Sequence, residues 1–327
     1  MKYVTIFSWF FISLTTSLSA QSFINLTSSM TLFPEHPKPY TTVTVKYESF
    51  SFDTDRALLT WSVNGKEVLS GVGELTLRVP LGGEGSVTRV GVVVRPNEGG
   101  TVRDQILITP AFVSLVWEAT DTYVPPLYKG KALPSEGGLV RVVALPSFYS
   151  GTTPYNPKTI NYQWSINGER VKALSGVGKQ TLETKLNYFE NENIIEVVAS
   201  TFDGLQSAEE SLSIAPTRIN PRFYIYDPLL GVDFSKAFTK RVEITKPTSF
   251  VYEPYYISNK DITSPNIETT WALNGLPVEP DEYRVISMTP KPDSSGVGTL
   301  SVTIEQKKKY LQKAESALQI VFNTKNN

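Results

Sequence analysis

The sequence predicts an all-β chain of three tandem β-sandwich modules behind an N-terminal export signal, and three observations carry that prediction. First, one pattern occurs three times: a Trp, then Asn-Gly after two further residues, then Ser-Gly-Val-Gly. The copies are Trp61, Asn64-Gly65 and Ser70 to Gly73; Trp164, Asn167-Gly168 and Ser175 to Gly178; Trp271, Asn274-Gly275 and Ser295 to Gly298. Second, the tryptophans recur at roughly one sandwich domain, about 100 residues. Third, the residues around each Trp alternate with period two, the signature of a strand with one buried face. Module one is assigned to residues 21–110, module two to 111–216 and module three to 217–327.

The elements follow in order. Lys2 precedes an apolar run from Ile6 to Leu18, with small residues leading to Ala20. That run is short for a membrane span, so residues 1–20 are expected to be a cleaved signal peptide and Gln21 the mature N-terminus. An uncleaved anchor is the alternative, because Leu18 is a poor residue three positions before the cleavage site. No second run of spanning length follows. In module one, Leu59, Trp61 and Val63 share a strand face opposite Thr60, Ser62 and Asn64. In module two Ile160, Tyr162, Trp164 and Ile166 do the same. Asn-Gly after each strand signals a hairpin, since a type I′ turn needs positive φ at both central residues. Short returns at Lys66 to Val68 and Glu169 to Val171 lead into the glycine motif and the next inward-facing set, Leu75, Leu77 and Val79. Strands at Val90 to Val94 and Gln105 to Thr109 finish module one, and Ile195 to Ala199 and Ser211 to Ile214 finish module two. Pro110 and Pro216 stop those last strands and mark the junctions. The likeness runs past the junctions: Pro126-Leu127 with Lys131-Ala132-Leu133 is echoed by Pro228-Leu229 with Lys236-Ala237-Phe238.

A buried Trp on a central strand, short alternating strands and modules of this size resemble immunoglobulin-like sandwiches. The polar turn after the Trp is similar to the PKD-like modules found in tandem on prokaryotic surface proteins, and to uncharacterised exported proteins of candidate-phylum bacteria. The aspartate-rich turn usual in PKD modules is replaced here by Asn-Gly. The resemblance covers residues 22–327 and implies fold rather than activity.

Module three departs from the pattern twice. The connection from Asn274 to Gly296 is much longer than those from Asn64 to Gly71 and from Asn167 to Gly176. It marks an insertion at 276–294 whose Tyr283 and Met288 are candidates for a ligand surface; a plain loop is the alternative. The chain also stops soon after its glycine motif. On that spacing Ala317 to Phe322 forms the penultimate strand and the final strand is missing, leaving Leu318, Ile320 and Phe322 as an open edge for strand addition by a partner. A covering tail, Asn323 to Asn327, or a rearranged first strand is the alternative. Nine aromatics, including Phe223, Tyr224, Tyr252, Tyr255 and Tyr256, crowd the start of module three. They are read as core, with a sugar-stacking platform as the alternative.

Composition limits the chemistry. The 327-residue chain has 31 basic and 32 acidic residues, no cysteine and one histidine. Near-neutral charge gives no field toward nucleic acid. Absence of cysteine in an exported array favours a bacterial or archaeal envelope over a disulfide-rich eukaryotic exterior, and leaves the Asn25-Leu26-Thr27 sequon little weight. His36 lies in a proline-rich loop, Pro34 to Pro39, and marks no triad. Asp53 and Asp55 are a weak candidate for Ca²⁺, against an ordinary turn. No cofactor is expected. The sequence therefore reads as a non-enzymatic envelope stalk or interaction array whose partners are envelope or surface proteins. The alternative is a carbohydrate-binding or adhesion protein that takes polysaccharide on module three.

Overall fold

The computed structural model describes residues 28–324. The expected signal peptide and the Asn25 sequon lie outside the described residues. Module one has seven strands: β1 (Ser28–Phe33), β2 (Thr42–Ser49), β3 (Leu58–Val63), β4 (Lys66–Val72), β5 (Thr76–Pro80), β6 (Thr88–Arg95) and β7 (Val102–Ile108). They form a three-stranded sheet β1-β2-β5 facing a four-stranded sheet β4-β3-β6-β7. Module two repeats this plan. Its main strands are β8 (Phe112–Ala119) and β9 (Leu139–Ser147), followed by a small hairpin of β10 (Tyr149–Ser150) and β11 (Thr153–Pro154). Then come β12 (Asn161–Ile166), the short β13 (Glu169–Arg170) and β14 (Gly176–Val177), β15 (Thr181–Lys185), β16 (Asn193–Ser200) and β17 (Ser207–Ile214). Its sheets are β15-β9-β8 and β13-β12-β16-β17, with β14 also on β12. These are immunoglobulin-like sandwiches.

The repeated tryptophans sit on β3 and β12 at the centre of each core. Trp61 and Trp164 are fully buried. Each indole N–H donates across to a carbonyl just past the glycine motif, Glu74 O at 2.7 Å and Lys179 O at 2.8 Å. Those carbonyls are placed by Gly73 and Gly178, both at φ +71, where a Cβ would press on the Asp55 or Lys158 carbonyl. Here the glycine has a requirement that no other residue meets.

The Asn-Gly pair does more than turn the chain. All three asparagines have positive φ, as type I′ geometry demands. Each also pairs twice with one residue on the neighbouring strand. The backbone N–H of Asn64 donates to Arg89 O at 2.8 Å, while its side-chain Oδ1 accepts from Arg89 N at 2.9 Å. Asn167 does this with Ile194 and Asn274 with Thr299, all four distances being 2.8 Å. The side-chain carbonyl thus replaces a main-chain one and adds a rung to the ladder where the strand has already turned away.

Module three comprises β18 (Asn220–Asp227), β19 (Gly231–Phe238), β20 (Arg241–Ile244), β21 (Thr248–Tyr255), β22 (Ile267–Leu273), β23 (Leu276–Val278), β24 (Val285–Met288), β25 (Ser295–Gln306) and β26 (Lys313–Asn323). The sheets are β19-β18-β21-β24 and β20-β26-β25-β22-β23. The expectation of a missing last strand and an open edge at Leu318, Ile320 and Phe322 is overturned. These residues lie on β26, which is the last strand. It pairs antiparallel with β25 on one side and parallel with β20 on the other, and Leu318 and Ile320 are fully buried.

The error came from the glycine motif. In modules one and two it precedes β5 and β15. In module three Ser295 to Gly298 instead opens the penultimate strand, and the strand equivalent to β5 is β24, inside the 276–294 segment. Gly298 accordingly lacks the positive φ of Gly73 and Gly178. The displaced connection leaves Trp271, also buried, with an indole N–H that finds no acceptor.

Two outcomes are expected for module two. Trp164→Ala opens a large cavity and costs about 3–5 kcal/mol in chemical denaturation. Asn167→Ala removes the added rung and strains a positive-φ position, at about 1–3 kcal/mol, and hydrogen exchange at the Ile194 amide accelerates first. Unchanged Ile194 protection would show that the side-chain rung contributes nothing.

Candidate functional site

The densest assembly of polar and aromatic side chains lies where module two meets module three. Residues 120–138, which connect β8 to β9, leave module two as a strap and run onto module three. Backbone pairing begins the contact: Tyr123 N donates to Ile257 O and Tyr256 N to Tyr123 O, both at 2.9 Å. Strand β21 under the strap, with the run Phe250-Val251-Tyr252-Glu253-Pro254, is buried on both faces. Phe250 and Tyr252 face the inner core; on the other face Val251 clusters with Tyr224 and Val285, and Glu253 lies beneath the strap.

Glu253 is a carboxylate only 1% exposed. Two groups compensate it. Arg284 Nη1 sits 3.2 Å away, and the Tyr123 hydroxyl, from module two, donates to the same oxygen, Oε2. Arg284 is fixed in turn by a bond to Tyr252 O at 3.1 Å and by its position over the Tyr252 ring. Burial, then the hydrogen bond to the Glu253 anion, pushes the Tyr123 phenol well above its ordinary value. Beside this pair, Tyr128 of the strap meets the hydroxyl of Tyr256 at 2.7 Å and packs edge-on against Tyr255. Tyr255 also shares a 2.7 Å hydroxyl contact with Tyr224. Burial and the Tyr128 bond push Tyr256 up to about 12.

The strap's far end is held as firmly. Gln312, 1% exposed, donates to Glu136 O and Ser258 Oγ, each at 2.7 Å, and accepts from Ser258 N at 2.9 Å. Lys309 reaches back to Asp121 at 3.1 Å and to Gly137 O at 2.9 Å. Tyr310 stacks edge-on against Tyr188 and Phe189 of module two. The junction of modules one and two is lighter but built alike. The β1–β2 connection of module one reaches module two through Lys38 to Glu210 at 3.0 Å, His36 beside Glu209 at 3.8 Å, and Pro37 O accepting from Ala111 N at 3.4 Å.

The residues singled out by sequence fall as follows. The three tryptophans and the Asn-Gly pairs are the core and turn positions described above. Of the module-three aromatics, Phe223, Phe250 and Tyr252 are fully buried, while Tyr224, Phe234 and Tyr255 line a surface cavity of about 500 Å³ with Leu127 and Tyr128 of the strap. Tyr283 is half exposed, and its hydroxyl donates to Ile262 O at 2.8 Å. Met288 and Phe322 line one apolar groove of about 600 Å³ at the end of module three remote from module two, with Ile244, Leu273, Val278 and Ile286. Asp53 and Asp55 lie in an exposed turn: Asp53 Oδ1 accepts from Asp55 N at 3.1 Å and its other oxygen faces Arg56. Among the described residues no three acidic or histidine side chains are grouped to hold a metal ion, and no helix is long and apolar enough to cross a membrane. Sequence reasoning missed the strap, Glu253, Arg284, Lys309 and Gln312. The available signal was a single acidic residue inside an otherwise apolar strand, which needs a partner.

Arg284→Ala is expected to leave Glu253 buried without a cation and to destabilise module three by about 3–5 kcal/mol. Glu253→Gln with Arg284→Met recovers much of that loss. Urea denaturation of the single and double variants checks the coupling, and additive losses would mean the pair is not coupled.

No protein-family model and no curated protein matches the chain. Among solved structures, the chain is similar to fibronectin(III)-like modules of Clostridium thermocellum CbhA, at 12% identity and a TM-score of 0.31, over 58% of this chain and 94% of that one. It is similar to the three N-terminal domains of the bacteriophage RB49 outer capsid protein Hoc, at 13% identity and a TM-score of 0.25, over 91% and 98%. It is also similar to SGBP-B of a Bacteroides ovatus mixed-linkage glucan utilization locus, in complex with a heptasaccharide, at 12% identity and a TM-score of 0.19, over 90% and 66%.

Proposed function

We propose that this chain is a non-enzymatic, exported bacterial envelope protein that acts as a stiff spacer and interaction array, with modules of PKD-like type. The observation that carries this reading is the strap. A spacer must transmit position along its length, and flexible linkers between modules would dissipate it. Here the second junction is closed by the Tyr123 hydroxyl on buried Glu253, the Lys309–Asp121 ion pair, the satisfied amide of buried Gln312 and edge-on ring contacts, and the first by the Lys38–Glu210 ion pair and a backbone bond at Pro37. Polar contacts of this kind add little stability over apolar packing, but they accept only one geometry.

Export is supported by the apolar segment at Ile6 to Leu18 and by small residues up to Ala20; the cysteine-free composition fits a bacterial compartment. The carbohydrate reading places its site on the module-three aromatics or on the 276–294 insertion; Phe223, Phe250 and Tyr252 are buried, and Tyr283 of the insertion stays half exposed.

Because the chain has no cysteine, two engineered ones report unambiguously. Spin labels at Thr181→Cys and Thr299→Cys, both exposed positions, are expected to give one narrow distance distribution by pulsed dipolar spectroscopy. Adding Lys309→Ala and Gln312→Ala broadens it. A broad distribution in the chain with its strap intact sinks the stiff-spacer reading.

A further inference from the structure

The strap and β19, the strand that module three adds to the plan of its siblings, enclose the cavity of about 500 Å³ at the second junction. Its walls come from both modules. Tyr128 and Lys129 belong to the strap, Tyr224 to β18, Asp233, Phe234 and Ser235 to β19, and Tyr255 to the end of β21. The volume falls in the range of small-molecule sites, roughly 300–1,000 Å³.

A break in strand register shapes one wall. Phe223 pairs with Phe238 and Ile225 with Asp233, so the step from 223 to 225 on β18 spans 238 to 233 on β19. The surplus on β19 bulges out, and a bulge re-aims the side chains it carries. Phe234 is thereby set edge-on to Tyr224, ring centres 5.4 Å apart. On the strap, Tyr128 is edge-on to Tyr255 at 5.5 Å. The strap arrives through Leu127 at φ +65, a backbone region costly for a leucine.

The polar groups on these walls have unused capacity. Tyr128 shares one hydroxyl bond with Tyr256 and Tyr224 one with Tyr255, each at 2.7 Å. One phenolic proton makes each bond, and the second finds no acceptor among the described residues. Lys129 and Asp233 form no ion pair among those residues either. The Ser235 side chain, then its backbone N–H at 2.9 Å, hold the Asp233 carboxyl below its ordinary value, so it stays anionic.

These groups select a ligand by its chemistry. Lysine only donates, an ionised carboxylate only accepts, and phenols do both. One cation and one anion leave no net charge to match. The rings and Val232 call for an apolar surface between those polar points. A pyranose has that composition: an apolar C–H face and a rim of neutral hydroxyls that donate and accept. A phosphate or carboxylate would meet Asp233, and an ammonium would meet Lys129.

We propose that the seam between the strap and β19 is a binding site for a short neutral saccharide. A sugar ring packs against Tyr128, Tyr224, Phe234 and Tyr255, and its hydroxyls bond to Lys129 and Asp233. The site goes beyond the spacer role, and because both modules wall it, it exists only while the second junction is docked.

Saturation-transfer difference NMR on the full chain tests it, with neutral disaccharides of glucose, galactose, mannose and N-acetylglucosamine as probes. At least one is expected to receive saturation at its ring C–H protons, with an effect that levels off on titration. Lys129→Ala and Asp233→Ala, both at exposed positions, are expected to melt close to the parent and to weaken that binding about tenfold each. Phe234→Leu keeps apolar bulk without the ring, and is expected to lose binding with the fold retained. The proposal is overturned if no probe binds, if binding is unchanged in either alanine variant, or if Phe234→Leu binds as the parent does. It is also overturned if glucuronic acid, or an oligoproline peptide of the kind that docks in aromatic-lined grooves, binds here in preference to the neutral sugars.

Discussion

A sheet edge that has to stay in register after its strand has turned away is the constraint around which each module is organised. The Trp-x-x-Asn-Gly unit meets it with two side chains. The indole fills the centre of the sandwich and, in modules one and two, ties the strand to the connection that crosses to the other sheet. Three residues later the Asn side chain supplies a carbonyl that the backbone no longer offers at that height, so β6, β16 and β25 begin their ladders one residue early. Glycine next to it is required because the turn needs positive φ twice. Packing, register and turn are thereby specified by a segment of five residues, which explains why that segment is visible where the rest of the modules has drifted apart.

Module three shows what happens when one tie of that unit is released. Its Asn rung is intact, but the crossing connection has lengthened, and the carbonyl that would accept from Trp271 is no longer there. A buried unpaired N–H costs about 1–3 kcal/mol. The module offsets this with structure its siblings lack: β19 widens one sheet, β20 closes the far edge of the other, and β25 and β26 run for 12 and 11 residues.

What the sequence disclosed follows from the range of the forces involved. Local rules exposed the Trp strands, the Asn-Gly turns and the module period, because strand alternation and positive φ act within a few residues. Strand count in module three was misread because Ser295 to Gly298 repeats a sequence without repeating its backbone: the letters match those at Ser70 and Ser175, but Gly298 has no left-handed φ to satisfy. The strap was present as an echo between Pro126-Leu127 and Pro228-Leu229. Its role depends on which module lies opposite, and no local pattern encodes that. Glu253 was the one long-range feature with a local trace, a lone acid among Phe250, Tyr252 and Tyr255.

The chemistry of the junction also explains why a polar interface is used where an apolar one would bind as well. An apolar seam tolerates sliding, since its free energy tracks buried area and not direction. Glu253 tolerates little: displacing the strap takes the Tyr123 hydroxyl from its Oε2 and leaves the buried carboxylate with only Arg284 of its own module. Gln312 behaves likewise, with both amide hydrogens and its carbonyl assigned to fixed partners on both modules. The angle between modules two and three is therefore held by the penalty for leaving it, and stiffness is obtained without enlarging the interface. The same logic separates the two junctions. The first rests on backbone contacts at Pro37 and Gly85 and on the exposed Lys38–Glu210 pair, a contact worth little by itself.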